Sequence, residues 1–286
     1  MREALVETCA LLGLDPAGAR LLRFTNNAVY TLATAPVVVR IVGSTRLRHR
    51  VGTVVWVAEY FARHGVPAIR LLEGVGQPIV VGPHLVTAWH EVPSVGFPAT
   101  TADLAGLLRR VHALPPPEGL VAWAPFTAIR ARVSDAEELS DGDRAFLLDR
   151  CAEVEGRLAE LDFQLARSLV HGDAHPGNVI PGPAGPVLCD FDSACVGPPE
   201  WDLTPLAVGR ERFGDPPSHY ERFAEAYGFD VTAWSGFAVL RAVRELKLTT
   251  SVLPILRSHP QVRPELRRRL DDLRHGRTDT VWARYR

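Results

Sequence analysis

Two short stretches near the middle of the chain carry its strongest pattern. The first, Leu169–Ile180, reads LVHGDAHPGNVI, and the second, Val187–Asp192, reads VLCDFD. A segment rich in proline and glycine, 181–186, separates their apolar runs. This pattern predicts a β-hairpin with polar residues at its open end.

Three of those polar residues suggest a chemistry. Asn178 and Asp190 are equally distant in sequence from Ala184, so the hairpin is expected to place them roughly side by side. An amide oxygen and a carboxylate form a hard-oxygen site suited to Mg²⁺. Asp173, on the preceding loop, can face this site and accept the proton of an attacking hydroxyl while the metal neutralises phosphate charge.

Each of these residues alone also has a structural interpretation. An Asp in a loop of Gly and Pro is commonly a turn residue. Asp190 and Asp192 could end a solvated strand, and Asn178 could cap a turn. Their joint spacing, within a strand, a loop and a hairpin, favours a functional site.

The composition predicts a globular protein of about two domains, at ~150 residues per domain. Of the 286 residues, 47% are hydrophobic and 23% charged, which excludes a disordered or fibrous chain. A net charge of -1 indicates no nucleic-acid partner. No apolar stretch is long enough to span a membrane, the start resembles no signal peptide, and the four Cys show no C-x-x-C spacing. We expect a cytoplasmic protein without a membrane partner, and the oligomeric state stays open.

The first ninety residues are predicted to be rich in β-structure. Apolar residues at helical spacing between 51 and 62 indicate one helix, which Gly65 and Pro67 end. The predicted strands are Val29–Thr34 and Val37–Val42, joined as a hairpin, then Ala68–Leu72 and Ile79–Trp89.

The rest of the chain is predicted to be mostly helical. Thr101–Asp103 and Ser140–Asp143 are expected to cap two helices, and helices continue from Glu200, including a long one over about Thr232–Leu256. The fold class is therefore α+β, with a β-rich N-lobe at 1–89, a hinge at 90–93 and a larger, mostly helical C-lobe at 94–286. Ligands favour the cleft between such lobes.

The motif H-G-D-A-H-P-G-N followed by C-D-F-D resembles the signature of the aminoglycoside phosphotransferase and choline kinase family. These are small-molecule kinases with a bilobal, protein-kinase-like fold. The resemblance implies that Asp173 is the catalytic base, Asn178 and Asp190 bind Mg²⁺, and Asp192 is the second acidic position. Pro198–Leu203 resembles a following family segment in which the acidic residue, here Asp202, is structural.

The resemblance also implies an activity and a donor site. The γ-phosphate of ATP or GTP would pass to a hydroxyl of a small molecule, such as an antibiotic, another natural product or a sugar. Ala88 and His90, at the connector between the lobes, would contact the nucleotide. Asn27 matches the family's N-x-V-Y turn in the phosphate-covering loop, although an ordinary Asn-Asn turn explains it equally well.

Two positions depart from the family pattern. The only Lys of the chain is Lys247, so Arg40 stands where the family's third strand supplies a Lys to the phosphates. Arg can bind phosphate bidentately, and the alternative is an exposed edge strand. Val54 occupies the helix position of the usual Glu partner, so another carboxylate pairs with Arg40 or the pair is absent.

Two other functions remain as alternatives. His171, Asp173, His175 and Asp190 could form a Zn²⁺ or Mn²⁺ hydrolase site, although a buried, backbone-bonded His171 is the favoured interpretation. The departures at Arg40 and Val54 suggest the other alternative, a nucleotide-binding regulator on a kinase-like scaffold.

The acceptor residues are the least defined. Trp123 and Trp234 lie in regions that could face an acceptor. Arg241 and Arg244 share a helix face with Lys247, and this charge would disfavour a polycationic acceptor. The alternative is a solvated basic face with ion pairs to Glu221 or Glu225.

Overall fold

A computed structural model describes residues 1–24, 27–43 and 48–285. Contacts divide the described chain into two compact units. The first comprises the described residues of Met1–Pro115 together with His171–Ala194, and the second comprises Pro116–Val170 and the described residues from Cys195 onward. The predicted catalytic loop and hairpin therefore belong to the same unit as the N-terminal strands.

The first unit is built on an antiparallel sheet of five strands in the order β1-β2-β3-β5-β4. The strands are β1 (Arg20–Phe24), β2 (Asn27–Thr31), β3 (Val37–Val42), β4 (Ile79–Val81) and β5 (His84–His90). The predicted hairpin is present as β2 and β3, with Tyr30 opposite Val39. β3 lies in the centre of the sheet, between β2 and β5.

A helix that the sequence analysis missed covers one face of this sheet. Helix α1 (Arg2–Leu12) ends at Gly13, whose φ of 66° is left-handed. It buries Leu5 and Cys9 in an apolar cluster with sheet residues such as Val39 and Ile41. Because this face is filled by core side chains, the opposite face carries the polar residues of the site.

The predicted helix in this region is α2 (Arg48–Arg63), and it turns at Gly65 with a φ of 64°. The strand predicted at Ala68–Leu72 is wrong, because this segment changes partners: Ala68 bridges Leu188, whereas Leu71 bridges Trp89. The run Ile79–Trp89 is two strands, since the chain turns at Gly82 with a φ of 52°.

Helix α3 (Thr101–His112) and a hairpin complete the first unit. Thr100, rather than the predicted Thr101, is the N-cap, and it forms a capping box with Asp103. The hairpin joins β7 (Val179–Gly182) to β8 (Gly185–Leu188). It is tied to the chain after α2, because the Leu188 N–H donates to the Pro67 carbonyl at 2.9 Å and its carbonyl accepts from Ile69 at 2.9 Å.

The second unit is mostly helical. A short antiparallel pair, β6 (Ser168–Val170) with β9 (Cys195–Gly197), accompanies its helices. The helices are α4 (Pro125–Asp135), α5 (Asp141–Ala159), α6 (Glu200–Phe213), α7 (Pro217–Tyr227), α8 (Phe237–Thr250) and α9 (Arg263–Arg274). Helices α4, α5, α6 and α8 pack together around one apolar core.

The predicted long helix over Thr232–Leu256 is shorter than expected. Only Phe237–Thr250 is α-helical, and 3₁₀ turns at Val231–Ala233 and Leu253–Ile255 flank it. Pro254 lies in the second turn, where a proline lacks the N–H that a continuing helix needs. Within the described ranges, no helix combines the length and apolar character needed to cross a membrane.

Candidate active site

The loop between β6 and β7 depends on a glycine. Gly172 has a φ of 79°, a conformation that side-chain-bearing residues rarely adopt. A Cβ at this position would lie 2.1 Å from the Ser193 carbonyl oxygen, which is backbone and cannot rotate away. The loop therefore approaches the chain that follows Asp192 more closely than any side chain allows.

We expect Gly172→Ala to destabilise the protein strongly. The strained φ and the clash together are expected to cost about 3 kcal/mol or more, lowering the Tm by roughly 6 °C or more. Gly13→Ala is the matched control, since Gly13 has a similar φ of 66° but no atom within 4 Å of its Cβ position. Differential scanning calorimetry measures both. Equal losses in the two variants would mean that the close approach to Ser193 contributes nothing.

His171 is buried and holds the loop in place. Its Nε2–H donates to the Cys189 carbonyl at 2.9 Å, and its Nδ1 accepts from the Asp173 N–H at 3.3 Å. A carbonyl can only accept and an amide N–H can only donate, so these partners assign Nε2 as the donor and Nδ1 as the acceptor. This geometry agrees with the favoured interpretation of His171 as a backbone-bonded loop residue.

Asn178 is fixed by its amide group. Its Nδ2 donates to the Asp173 carbonyl at 2.9 Å, which leaves Oδ1 as the atom that could bind a cation. The hairpin is centred between Pro183 and Ala184 rather than on Ala184. Val179 pairs with Leu188 and the Cys189 N–H donates to the Asn178 carbonyl, so Asn178 lies beside Cys189, with Asp190 one residue further.

Asp190 and Asp192 flank a buried aromatic ring. Phe191 is 1% exposed and packs edge-on against Phe61 of α2, with 5.2 Å between ring centroids. Asp190 itself has a φ of 67°, the only positive value among the described residues other than glycine. The backbone thus turns sharply at Asp190, and such strain is typical of functional sites.

The two carboxylates differ in their electrostatics. Burial, with the hydrogen bond and negative charge of Asp192, raises the pKa of Asp190 above its ordinary value. Burial also opposes ionisation of Asp192, but the charge and hydrogen bond of Arg40, together with the hydrogen bond of Asp190 and the charge of Arg50, hold the pKa of Asp192 below its usual range. Asp192 is therefore the carboxylate that stays ionised next to Arg40.

Arg40 lies in the centre of the sheet and is paired. The edge-strand alternative is wrong, because β3 has a neighbour on each side. The guanidinium donates to Asp192 Oδ2 and is 13% exposed. Val54 leaves α2 without a carboxylate for Arg40. Its ion-pair partner is instead Asp192, in the segment Cys189–Asp192 that follows β8 and is called here the hairpin segment. A second cation, Arg23 of β1, lies 3.8 Å from Asp190 Oδ2.

The other predicted donor-site residues lie on the sheet. Asn27 begins β2 and shares the Arg40 face of the sheet, whereas residues 25–26 of the same predicted loop lie outside the described ranges. The N–H of Ala88 donates to Gln77 Oε1, and its carbonyl accepts from Leu72 and Gln77. A nucleotide contact through Ala88 would have to replace one of these bonds. His90 Nε2 pairs with Glu73 at 2.5 Å.

The predicted acceptor residues belong to the second unit. Trp123 and Trp234 are half-buried, and both pack on Phe163, at centroid distances of 6.5 Å and 5.6 Å. Asp202 is fully buried in the first turn of α6, where a structural role was predicted.

Arg241, on the predicted basic face of α8, does not form the ion pairs that were predicted for it. Arg241 pairs with Glu211 at 2.5 Å and with Glu245 at 2.8 Å, rather than with the predicted Glu221 or Glu225. Its charge is therefore balanced within the helical core. Arg244 is half-buried on the same helix, and Lys247 Nζ lies 5.7 Å from the Trp201 ring centroid.

The residues at the hairpin fit the metal that the resemblance implies. Mg²⁺ prefers oxygen ligands and usually takes one or two carboxylates, with substrate phosphates and water completing its shell. The Asp190 carboxylate, whose side chain is 38% exposed, and Asn178 Oδ1 are ligands of this kind. Within the described chain, no cluster of three or more His, Cys, Asp or Glu is arranged to hold a metal ion.

The fold is that of the small-molecule kinases. An amicoumacin kinase solved with AMP-PNP and Ca²⁺ superposes with a TM-score of 0.73 at 13% identity, over 98% of this chain and 97% of that one. A choline kinase from Streptococcus pneumoniae gives 0.69 at 16% identity, over 94% and 98%. The predicted α+β, protein-kinase-like fold is confirmed.

The chain belongs to the phosphotransferase enzyme family, whose model matches residues 21–245. A hydroxyurea phosphotransferase from Kitasatospora aureofaciens is 31% identical over 142 residues. That match spans 48% of this chain and 41% of the relative, so it covers less than half of the relative's length. The predicted class of enzyme, a small-molecule phosphotransferase, is confirmed.

Proposed function

We propose that this chain transfers the γ-phosphate of ATP or GTP to a hydroxyl group of a small molecule. The observation that carries the proposal is the arrangement of Arg40, Asp190 and Asp192. Arg40, the only charged residue of the central strand β3, pairs with Asp192, and the Asp192 carboxylate is in turn hydrogen-bonded to that of Asp190. Phosphoryl transfer needs this combination of a phosphate-binding cation and oxygen ligands for a metal.

Each residue has a distinct role in the proposed reaction. The Asp173 carboxylate accepts the proton of the acceptor hydroxyl as the oxygen attacks the γ-phosphorus. Asn178 and Asp190 bind Mg²⁺, which when bound neutralises charge on the donor phosphates. Arg40 donates to the phosphate oxygens while Asp192 keeps its guanidinium oriented. His171 and the Asn178 side chain hold the loop that carries Asp173.

The hydrolase alternative requires His171 as a metal ligand, and the contacts of His171 argue against that role. Both ring nitrogens of His171 are hydrogen-bonded to backbone groups, and the side chain is 1% exposed. A metal would have to break both bonds to bind His171. The alternative of a nucleotide-binding regulator differs from the kinase proposal only in turnover, so an acceptor-dependent assay separates these two.

The acceptor is proposed to be a small hydroxylated molecule. Hydroxyurea is the first compound to test, since a hydroxyurea phosphotransferase shares 31% identity with this chain over 142 residues. Because Arg241 is neutralised by Glu211 and Glu245, the charge argument against polycationic acceptors depends on Arg244 and Lys247 alone. Aminoglycosides therefore belong in the same panel.

The experiment is a screen for acceptor-dependent release of ADP or GDP. Purified protein is incubated with Mg²⁺ and ATP or GTP, with hydroxyurea, choline, sugars and natural-product antibiotics as acceptors. Mass spectrometry then identifies the phosphorylated acceptor. Nucleotide binding without transfer to any acceptor would favour the regulator, and metal-dependent hydrolysis without nucleotide binding would favour the hydrolase.

We expect Arg40→Lys to retain more activity than Arg40→Ala. Lys keeps the positive charge beside Asp192 and loses only the bidentate geometry, so kcat/KM should fall about tenfold, against about a hundredfold for Ala. Steady-state kinetics with varied nucleotide measure this. If Asp192 acts by orienting Arg40, combining Arg40→Ala with Asp192→Asn should cost little more than Arg40→Ala alone. Wild-type activity of Arg40→Ala would remove Arg40 from the donor site.

A further inference from the structure

Two arginines lie in one row across the sheet. Arg23 of β1 is directly opposite Val29 of β2, and Val29 is directly opposite Arg40 of β3. Residues opposite one another in antiparallel strands project from the same face. With strands about 4.8 Å apart, the two Cα atoms are roughly 10 Å apart, and both side chains project toward the hairpin segment.

Each arginine meets a different carboxylate of that segment. Arg40 pairs with Asp192, and Arg23 lies 3.8 Å from Asp190. Their environments differ sharply, since the Arg23 side chain is 64% exposed and that of Arg40 is 13% exposed. Arg40 is held in place, whereas Arg23 makes a long, solvated contact of the kind that adds little to stability and is easily exchanged.

The sequence next to Arg23 lacks the usual means of holding phosphates. Loops that bind phosphate commonly use backbone N–H groups, and glycine permits the close approach. Phe24–Tyr30, which follows Arg23 directly, reads FTNNAVY and contains no glycine. The long cationic side chain of Arg23, directly before this glycine-free stretch, could supply such hydrogen-bond donors, since a guanidinium offers five.

We propose that Arg23 is a phosphate-binding residue of the donor site. It pairs with Asp190 in the nucleotide-free chain and moves to the outer phosphates of the donor when Asp190 binds the metal. The inference rests on the proposed function, because it takes Asp190 as a metal ligand. It adds a residue of β1 to a donor site for which the family motifs supplied Arg40, Asn178 and Asp190.

Electrostatic interactions favour the move of Arg23 from Asp190 to the donor phosphates once Asp190 binds the metal. A divalent cation on Asp190 repels a guanidinium 3.8 Å from the same carboxylate. Phosphate oxygens that completed the shell of a metal on Asp190 would bring negative charge toward Arg23. Arg23 therefore loses one anionic partner and gains another, with a bidentate geometry available at the phosphate.

The test compares three ligands on three variants by isothermal titration calorimetry at about 0.15 M salt, where charges more than ~8 Å apart are largely screened. The ligands are Mg²⁺ with AMP-PNP, AMP alone, and Mg²⁺ alone. The variants are Arg23→Ala, Arg23→Lys and the matched control Arg20→Ala. Arg20 is an exposed arginine at the other end of the same strand, where it pairs with Thr31.

The expected effect of Arg23→Ala differs between the three ligands. Arg23→Ala should weaken Mg²⁺·AMP-PNP binding about tenfold and leave AMP binding unchanged, since AMP has no outer phosphates. It should bind Mg²⁺ alone as well as wild type or about twofold more tightly, because a competing cation is gone. Arg23→Lys should recover part of the loss for AMP-PNP, and Arg20→Ala should match wild type throughout.

Wild-type affinity of Arg23→Ala for Mg²⁺·AMP-PNP would overturn the inference, as would an equal loss in Arg20→Ala or an equal loss of AMP binding. The outcome separates this inference from the proposed function. If wild type does not bind Mg²⁺·AMP-PNP, both are wrong. If wild type binds it, Asp190→Asn does not and Arg23→Ala still does, only the role of Arg23 is wrong.

Discussion

Asp173→Asn is expected to lower kcat for phosphate transfer by about 10²–10⁴-fold, the usual contribution of a positioned general base. Asn has the same shape as Asp but cannot accept the proton of the attacking hydroxyl. Nucleotide affinity should stay within a few-fold of wild type, since the base contacts the acceptor rather than the donor. Initial rates of ADP or GDP release at saturating acceptor measure the effect.

The variant is expected to fold, because two of the loop contacts at Asp173 use its backbone. Its N–H donates to His171 Nδ1, and its carbonyl accepts from Asn178 Nδ2. An unchanged Tm and an unchanged nucleotide Kd in the same preparation are therefore the controls. Turnover close to that of wild type would show that another group removes the proton and that the proposed mechanism is wrong.

The elements that the sequence predicted are those with local signals. The hairpin of β2 and β3 has two β-branched runs around a proline, and α5 begins after Ser140, whose side chain accepts from the Asp143 N–H as predicted. Helix α1 was missed although Ala4, Leu5, Thr8 and Cys9 form a buried stripe at helical spacing. That stripe is short, and the helix begins without a side-chain cap, so its signal in the sequence is weak.

The partner of Arg40 could not have been predicted from the sequence. The family resemblance implied a partner on α2, where Val54 offers no carboxylate, and left open whether another carboxylate replaces it. The carboxylate that pairs with Arg40 is 152 residues away in the chain. Such a pairing depends on how the hairpin segment meets the central strand. The motif located Asp192, but only the folded chain shows which cation it meets.

The hairpin register shows a second limit of sequence reasoning. A hairpin centred on Ala184 predicts Asn178 and Asp190 roughly side by side, but the two-residue turn centres the ladder between Pro183 and Ala184. The left-handed backbone at Asp190, which sequence spacing does not reveal, reorients the chain two residues beyond the ladder. A shift of one residue matters in a strand, because it reverses the face on which a side chain lies.

The metal site gives the second large expected effect. Asp190→Asn should weaken Mg²⁺-dependent nucleotide binding at least about a hundredfold, because a hard divalent cation loses its charged ligand. Asn is the appropriate replacement, since Asn tolerates a positive φ better than Ala does and Asp190 has a φ of 67°. Asn178→Ala should weaken binding less, because a neutral amide contributes less than a carboxylate.

The sharpest measurement is a pair of titrations of each variant with AMP-PNP, one with Mg²⁺ and one with EDTA. Wild type should bind more tightly with Mg²⁺, whereas Asp190→Asn should give the same affinity in both buffers. Its affinity in EDTA should match wild type in EDTA, since Arg40 and its partner Asp192 are intact. A full Mg²⁺ effect in Asp190→Asn would move the metal away from the hairpin, and a loss in EDTA as well would mean that the substitution damages the donor site itself.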